Sequence, residues 1–83
     1  MNIIDECETI KRIIPTAESY TLVNNYGWTW DKDNIHYDLR HVLNVYGAEC
    51  DLYDLSSRKG DKYLGCKTFS NINEVVNYLE ESI

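Results

Sequence analysis

Most of the devices that staple, anchor or arm a small protein are scarce in this chain or missing from it. Its 83 residues hold three cysteines, Cys7, Cys50 and Cys66, an odd number with no Cys-x-x-Cys pair, so neither a disulfide framework nor a zinc knuckle is indicated. Reduced, mostly buried thiols are expected, with Cys7 as a small core residue. No apolar run approaches the roughly 18 residues that span a bilayer, and the first six residues are acidic where a secretory signal would be basic, which makes cytoplasmic the expected location. There is one proline and there are four glycines, placed at element ends or turns except Gly65, which marks a bulge or close packing inside a strand. No glycine-rich phosphate loop, Gly-x-Ser-x-Gly elbow or His-Glu-x-x-His occurs. A calcium loop starting at Asp31 fails because His36 and Val42 stand where glycine and glutamate are needed. No cofactor or metal is expected.

What the chain does have is acid and tyrosine. The net charge is −6, and it is unevenly placed: residues 1–57 carry ten acids against four bases, residues 58–83 four of each. Such a field repels bare nucleic acid and anionic membranes and attracts basic proteins, although acidity also serves solubility alone. Apolar residues at 43% are enough for one modest core, so residues 1–83 are expected to form a single globular domain.

The expected fold class is α+β: an antiparallel sheet of about four strands in two hairpins, with helices at the N-terminus, middle and C-terminus packed mainly on one face. The first helix runs from about Asn2 to Ile13, its stripe formed by Ile3, Cys7, Ile10 and Ile14, and Pro15 stops it. Asp5, Glu6 and Glu8 suit the positive end of its dipole. Ser19 to Val23 alternates as a strand, Asn24 to Gly27 reads as a turn, and Trp28-Thr29-Trp30 places two indoles on one face of a second strand.

Residues 35–46 support two assignments. Ile35, Leu39, Val42, Leu43 and Tyr46 fit a helical stripe ended by Gly47, while Ile35, Tyr37 and Leu39 alternate as a strand would; a helix after a short extended lead-in is the expectation. His36 and His41 within it are expected at the surface. Ala48 to Leu55 and Tyr63 to Phe69 form the second hairpin around the polar run 56–62, whose tip carries Arg58, Lys59 and Lys62. Asn71 then caps a last helix, with Glu74 closing a capping box and Ile72, Val75, Val76, Leu79 and Ile83 forming its stripe.

The function expected from these features is non-enzymatic. The leading reading is a small acidic inhibitor whose carboxylates stand in for nucleic-acid phosphates and occlude a basic nucleic-acid-handling protein, as phage anti-defence (anti-CRISPR-like) or toxin-immunity proteins do. Its contact residues are Asp31, Asp33, Asp38, Glu49, Asp51 and Asp54, with Trp28, Trp30 and Tyr53 as aromatic anchors against the plainer reading that these rings fill the core. The partner is then a protein with a basic surface, with no direct nucleic-acid binding and no membrane. The alternative is an accessory or homo-oligomeric domain that associates through an apolar face or strand edge. Least favoured is a small enzyme built on Cys50 with His36 or His41. Seven tyrosines exceed what one small core can bury with every hydroxyl satisfied, which favours a contact surface in either binding reading.

Overall fold

The computed structural model describes residues 3–23, 25–42 and 52–82. Helix α1 (Ile3–Ile13) is followed by strands β1 (Glu18–Thr21), β2 (Asn25–Lys32), β3 (Ile35–Val42), β4 (Leu52–Lys59) and β5 (Lys62–Phe69) and by helix α2 (Ile72–Ser82). The strands form a five-stranded antiparallel meander in the order β1-β2-β3-β4-β5, each strand pairing with its neighbour in sequence. Among the described residues, five strands and two helices therefore stand where four strands and three helices are expected.

The difference lies in residues 35–42, which are strand and not helix. Asp33 and Asn34 both adopt positive φ, 55° and 68°, and close a two-residue turn in which Lys32 pairs with Ile35. That geometry suits the right-handed twist of a hairpin, and Asn and Asp tolerate it better than other residues with a Cβ. Once the chain turns there, β3 gains a ladder on each side, from Trp28↔Leu39 and Leu39↔Leu55 outward. Tertiary pairing thus overrides a stripe that fits both periods. The remainder of the expected middle helix, together with the start of the strand expected from Ala48, lies outside the described residues.

The other hairpin turns tightly too. Lys59 pairs with Lys62 across Gly60-Asp61, with Gly60 at φ 60°, so most of the polar run 56–62 is strand and not loop. A register shift between Ser57 and Arg58 falls opposite Gly65, the bulge expected there. At the start of α2, the Asn71 side-chain oxygen accepts from the Glu74 N–H at 3.0 Å, while Glu74 reaches back to the Ser70 N–H and hydroxyl. The capping box therefore forms with its return bond moved one residue upstream.

Alternation along the strands sorts the sheet into two faces. Tyr26, Trp28 and Trp30 of β2, Leu39 and His41 of β3, Tyr53 and Leu55 of β4 and Phe69 of β5 are buried on one face, packed with Ile10 and Ile14 and with Val75 and Leu79 of α2. Tyr78 and Phe69 pack ring to ring at 5.5 Å, and the Lys67 ammonium lies 5.5 Å from the Tyr78 ring centre, so this lysine caps the core edge as well as charging the outer strand. Among the described residues no helix lies on the opposite face. No helix among the described residues is long and apolar enough to cross a membrane.

Candidate functional site

Two groups of polar side chains are assembled by this sheet, one on each face. On the helix-covered face, Glu6 is fully buried although it belongs to the first turn of α1, where the helix dipole alone would account for an acid. It sits four residues before Ile10, on the stripe that meets the sheet, whereas Ile4 is 66% exposed. Both carboxyl oxygens are used: the Tyr26 hydroxyl donates to Oε2 and the Tyr53 hydroxyl to Oε1. His41 Nδ1 lies 2.8 Å from the Tyr26 hydroxyl oxygen and 3.3 Å from Glu6 Oε2, and its ring stacks on Tyr53 at 4.1 Å. The bonding pattern makes Nδ1 the protonated nitrogen, donating to Tyr26 while Tyr26 donates to Glu6.

This network corrects two expectations at once. His41 is buried, not at the surface, because position 41 shares a strand face with Leu39. Tyr53 is a core ring with a satisfied hydroxyl, and Trp28 and Trp30, 0% and 3% exposed, fill the core, so none of the three aromatic candidates is an exposed anchor. With Glu6 at 0% exposure, the network ties α1 to β2, β3 and β4 and offers its acid to no outside molecule.

On the uncovered face the register places side chains in rows across the strands. One row holds Asp31, His36, Arg58 and Tyr63; the next Glu18, Thr29, Asp38, Ser56 and Cys66; the next Tyr20, Gly27, Arg40, Asp54 and Thr68. Asp31, Asp38 and Asp54 thus descend in a diagonal, one strand across and two residues along at each step, which spaces them by roughly 8 Å from strand separation and rise. Asp33 stands exposed at the β2–β3 turn beside them. Four of the six acids selected from the sequence are therefore brought to this face or its border, whereas Glu49 and Asp51 lie outside the described residues. Glu18 joins them from β1, a residue the sequence reading passed over because nothing marked which side of that strand would be open.

The acids differ in how far they are already engaged. Asp38 is 27% exposed, accepts from the Tyr20 hydroxyl at 2.8 Å and lies 3.9 Å from Arg40. Tyr20 reaches it by crossing β2 at Gly27, where a Cβ would stand 2.8 Å from the Tyr20 hydroxyl and 2.4 Å from the Leu39 carbonyl oxygen. Partial burial, then the bond to Asp38, raises the Tyr20 hydroxyl above its ordinary range, and the neighbouring Tyr20 hydroxyl is the main influence raising Arg40. Asp31, by contrast, is 77% exposed and pairs with His36 at 2.9 Å. Beside it a shallow depression of about 200 Å³ is lined by His36, Asp38, Ser56, Ser57, Arg58 and Tyr63.

Among the described residues no group of three or more His, Cys, Asp or Glu is arranged to hold a metal ion. His36 and His41, five residues apart on one strand, point to opposite faces. Comparison of the chain with known protein families, with curated proteins and with solved structures finds no match. The functional reading therefore rests on the geometry of the two faces.

Proposed function

We propose that this chain is a small non-enzymatic protein-binding module whose uncovered sheet face docks on a basic surface, in the manner of an inhibitor of a nucleic-acid-handling protein. The observation that carries the reading is the gathering of Glu18, Asp31, Asp38 and Asp54 from four strands onto the sheet face opposite α1 and α2, with Asp33 at its border. Against these stand Arg40 and Arg58 on the same face, and Arg40 is held among Asp38, Asp54 and Tyr20. Counting Asp33, five acids stand against these two arginines, so the charge a partner would meet is negative, with Arg58 sharing the row of Asp31.

A sheet face suits this role because its carboxylates are fixed on a rigid backbone grid, so little side-chain ordering is needed on binding. The exposed carboxylates, Asp31, Asp33 and Glu18, are the groups that would stand in for phosphates, which supports a partner that normally grips nucleic acid. Tyr20 and the 63%-exposed Tyr63 are the aromatic residues available beside the acids, in place of the buried Trp28, Trp30 and Tyr53.

The test is capture of partners from the source cell lysate at low salt by the wild type and by an Asp31→Lys/Asp33→Lys variant. Both positions are exposed; lysine at Asp33, where φ is 55°, costs about 1–2 kcal/mol, which leaves most of the stability in place. Retention of a basic protein by the wild type, its release at moderate salt and its loss from the variant are the expected results. Equal retention by both proteins would refute the reading. A retained species that is only the chain itself would favour the self-associating alternative.

A further inference from the structure

We propose that the outer edge of β1 and the groove beside it receive an extended basic–apolar segment of the partner as a sixth strand. This deepens the protein-binding reading above and rests on it. The argument begins with hydrogen-bond parity. Leu22 donates its N–H to the Asn25 carbonyl at 2.7 Å, which continues the pairing of Tyr20 with Gly27 and Glu18 with Thr29. In an antiparallel ladder only alternate residues exchange bonds with a given neighbour, so Ser19 and Thr21 turn their N–H and C=O groups away from β2. β1 is the end strand of the sheet, and Ser19 and Thr21 are exposed.

The two edges of the sheet are not equivalent. β5 carries Lys62 and Lys67 and is distorted by the register shift at Ser57/Arg58, features that discourage pairing. β1 has no proline, lysine or bulge; its shortness and the charge of Glu18 are its protections. Beside it lies a groove of about 320 Å³ between α1 and β1, lined by Ile4, Cys7 and Tyr26 together with Ser19 and Thr21. Outward backbone groups and an apolar groove along the same two residues are the two halves of a strand-addition site: the first binds any extended chain, the second selects every other side chain.

Charge selects the rest. Glu8 lines the groove and Glu18 lies on the uncovered face, so an apolar residue seated in the groove is best flanked by Lys or Arg. A second copy is the poorer occupant, because two edges brought together would oppose Glu8 and Glu18 of both copies on chains that each carry −6.

The probe is a blocked peptide of about eight residues alternating valine with arginine, titrated into the full chain while amide hydrogen exchange and amide chemical shifts are followed. Exchange at Ser19 and Thr21 is expected to slow by about tenfold or more at saturation. Thr21→Pro removes one outward donor and leaves the ladder to β2 whole, so it is expected to fold and to weaken the peptide by about tenfold. A peptide N-methylated on the amides that would face β1 is expected not to bind. Undiminished binding to Thr21→Pro or of the methylated peptide would overturn the proposal, as would the absence of any shift, or protection of the same amides in a dimer without peptide. Shifts confined to the rows of Asp31, Asp38 and Asp54 would overturn strand addition while leaving the docking face standing, which the Asp31→Lys/Asp33→Lys capture judges separately.

Discussion

Removing the Glu6 carboxyl is the sharpest perturbation of the fold, because it strips the acceptor from two tyrosines inside the core. In Glu6→Ala both hydroxyl-to-carboxyl bonds are lost, each worth about 0.5–1.5 kcal/mol net and more where a buried donor is left under-satisfied. Tyr26 keeps its 2.8 Å bond to His41, which limits the damage. Adding the packing lost with the side chain, the expected cost is about 3–5 kcal/mol. A chain of 83 residues has about 4–12 kcal/mol in all, so the variant is expected to lose about a quarter of its stability or more. Glu6→Gln keeps one carbonyl acceptor and costs about 1–3 kcal/mol. Urea unfolding followed by tryptophan fluorescence measures both, since Trp28 and Trp30 are buried and become solvated on unfolding. Combining Glu6→Ala with Tyr53→Phe is expected to show a coupling of about 1–2 kcal/mol. A cost below about 0.5 kcal/mol, or strictly additive effects, would refute the assignment of Glu6 as the tie between α1 and the sheet.

Other consequences are equally direct. Leu79→Ala truncates a side chain with no exposure at the centre of the α2 contact, and denaturation is expected to report a loss of about 2–5 kcal/mol. Gly27→Ala puts a Cβ 2.4 Å from the Leu39 carbonyl oxygen and against the Tyr20 hydroxyl, so a cost of about 1–3 kcal/mol is expected, with exchange broadening or displacement of the Tyr20 ring resonances. The Tyr20 hydroxyl titrates higher in the folded protein than in the unfolded chain, so its contribution is present below the unfolded value near 10 and is lost as pH rises through the folded one. Stability measured from pH 9 to 11 is therefore expected to fall more steeply for the wild type than for Tyr20→Phe; parallel curves would contradict the bond to Asp38.

Legibility in the sequence varied with how many physical rules agreed. The last helix announced itself through cap, box and stripe together, and Asn71, Glu74, Val75 and Leu79 stand where those rules put them. Residues 35–42 were misassigned because Ile35 and Leu39 satisfy both periods; the decisive signal was the pair Asp33-Asn34, two residues able to take positive φ and set two residues before the alternation of Tyr37, Leu39 and His41. That error carried His41 to the wrong environment. Glu6 was hidden for another reason: an acid in a first helical turn is explained by the dipole alone, and only a buried stripe completed by tyrosines from two strands reveals it as a core residue. The acids of the candidate face were selected from the sequence by charge; the strand register that aligns Asp31, Asp38 and Asp54 and adds Glu18 depends on pairings tens of residues apart.

The central claim is that the helix-free face binds a basic partner through its carboxylates. Paired capture with the wild type and the Asp31→Lys/Asp33→Lys variant, both shown by urea unfolding to be folded under the capture conditions, tests it most directly. The account predicts a basic protein held by the wild type alone and released as salt rises through the physiological range. The same protein held by both, or held more tightly at higher salt, would contradict it.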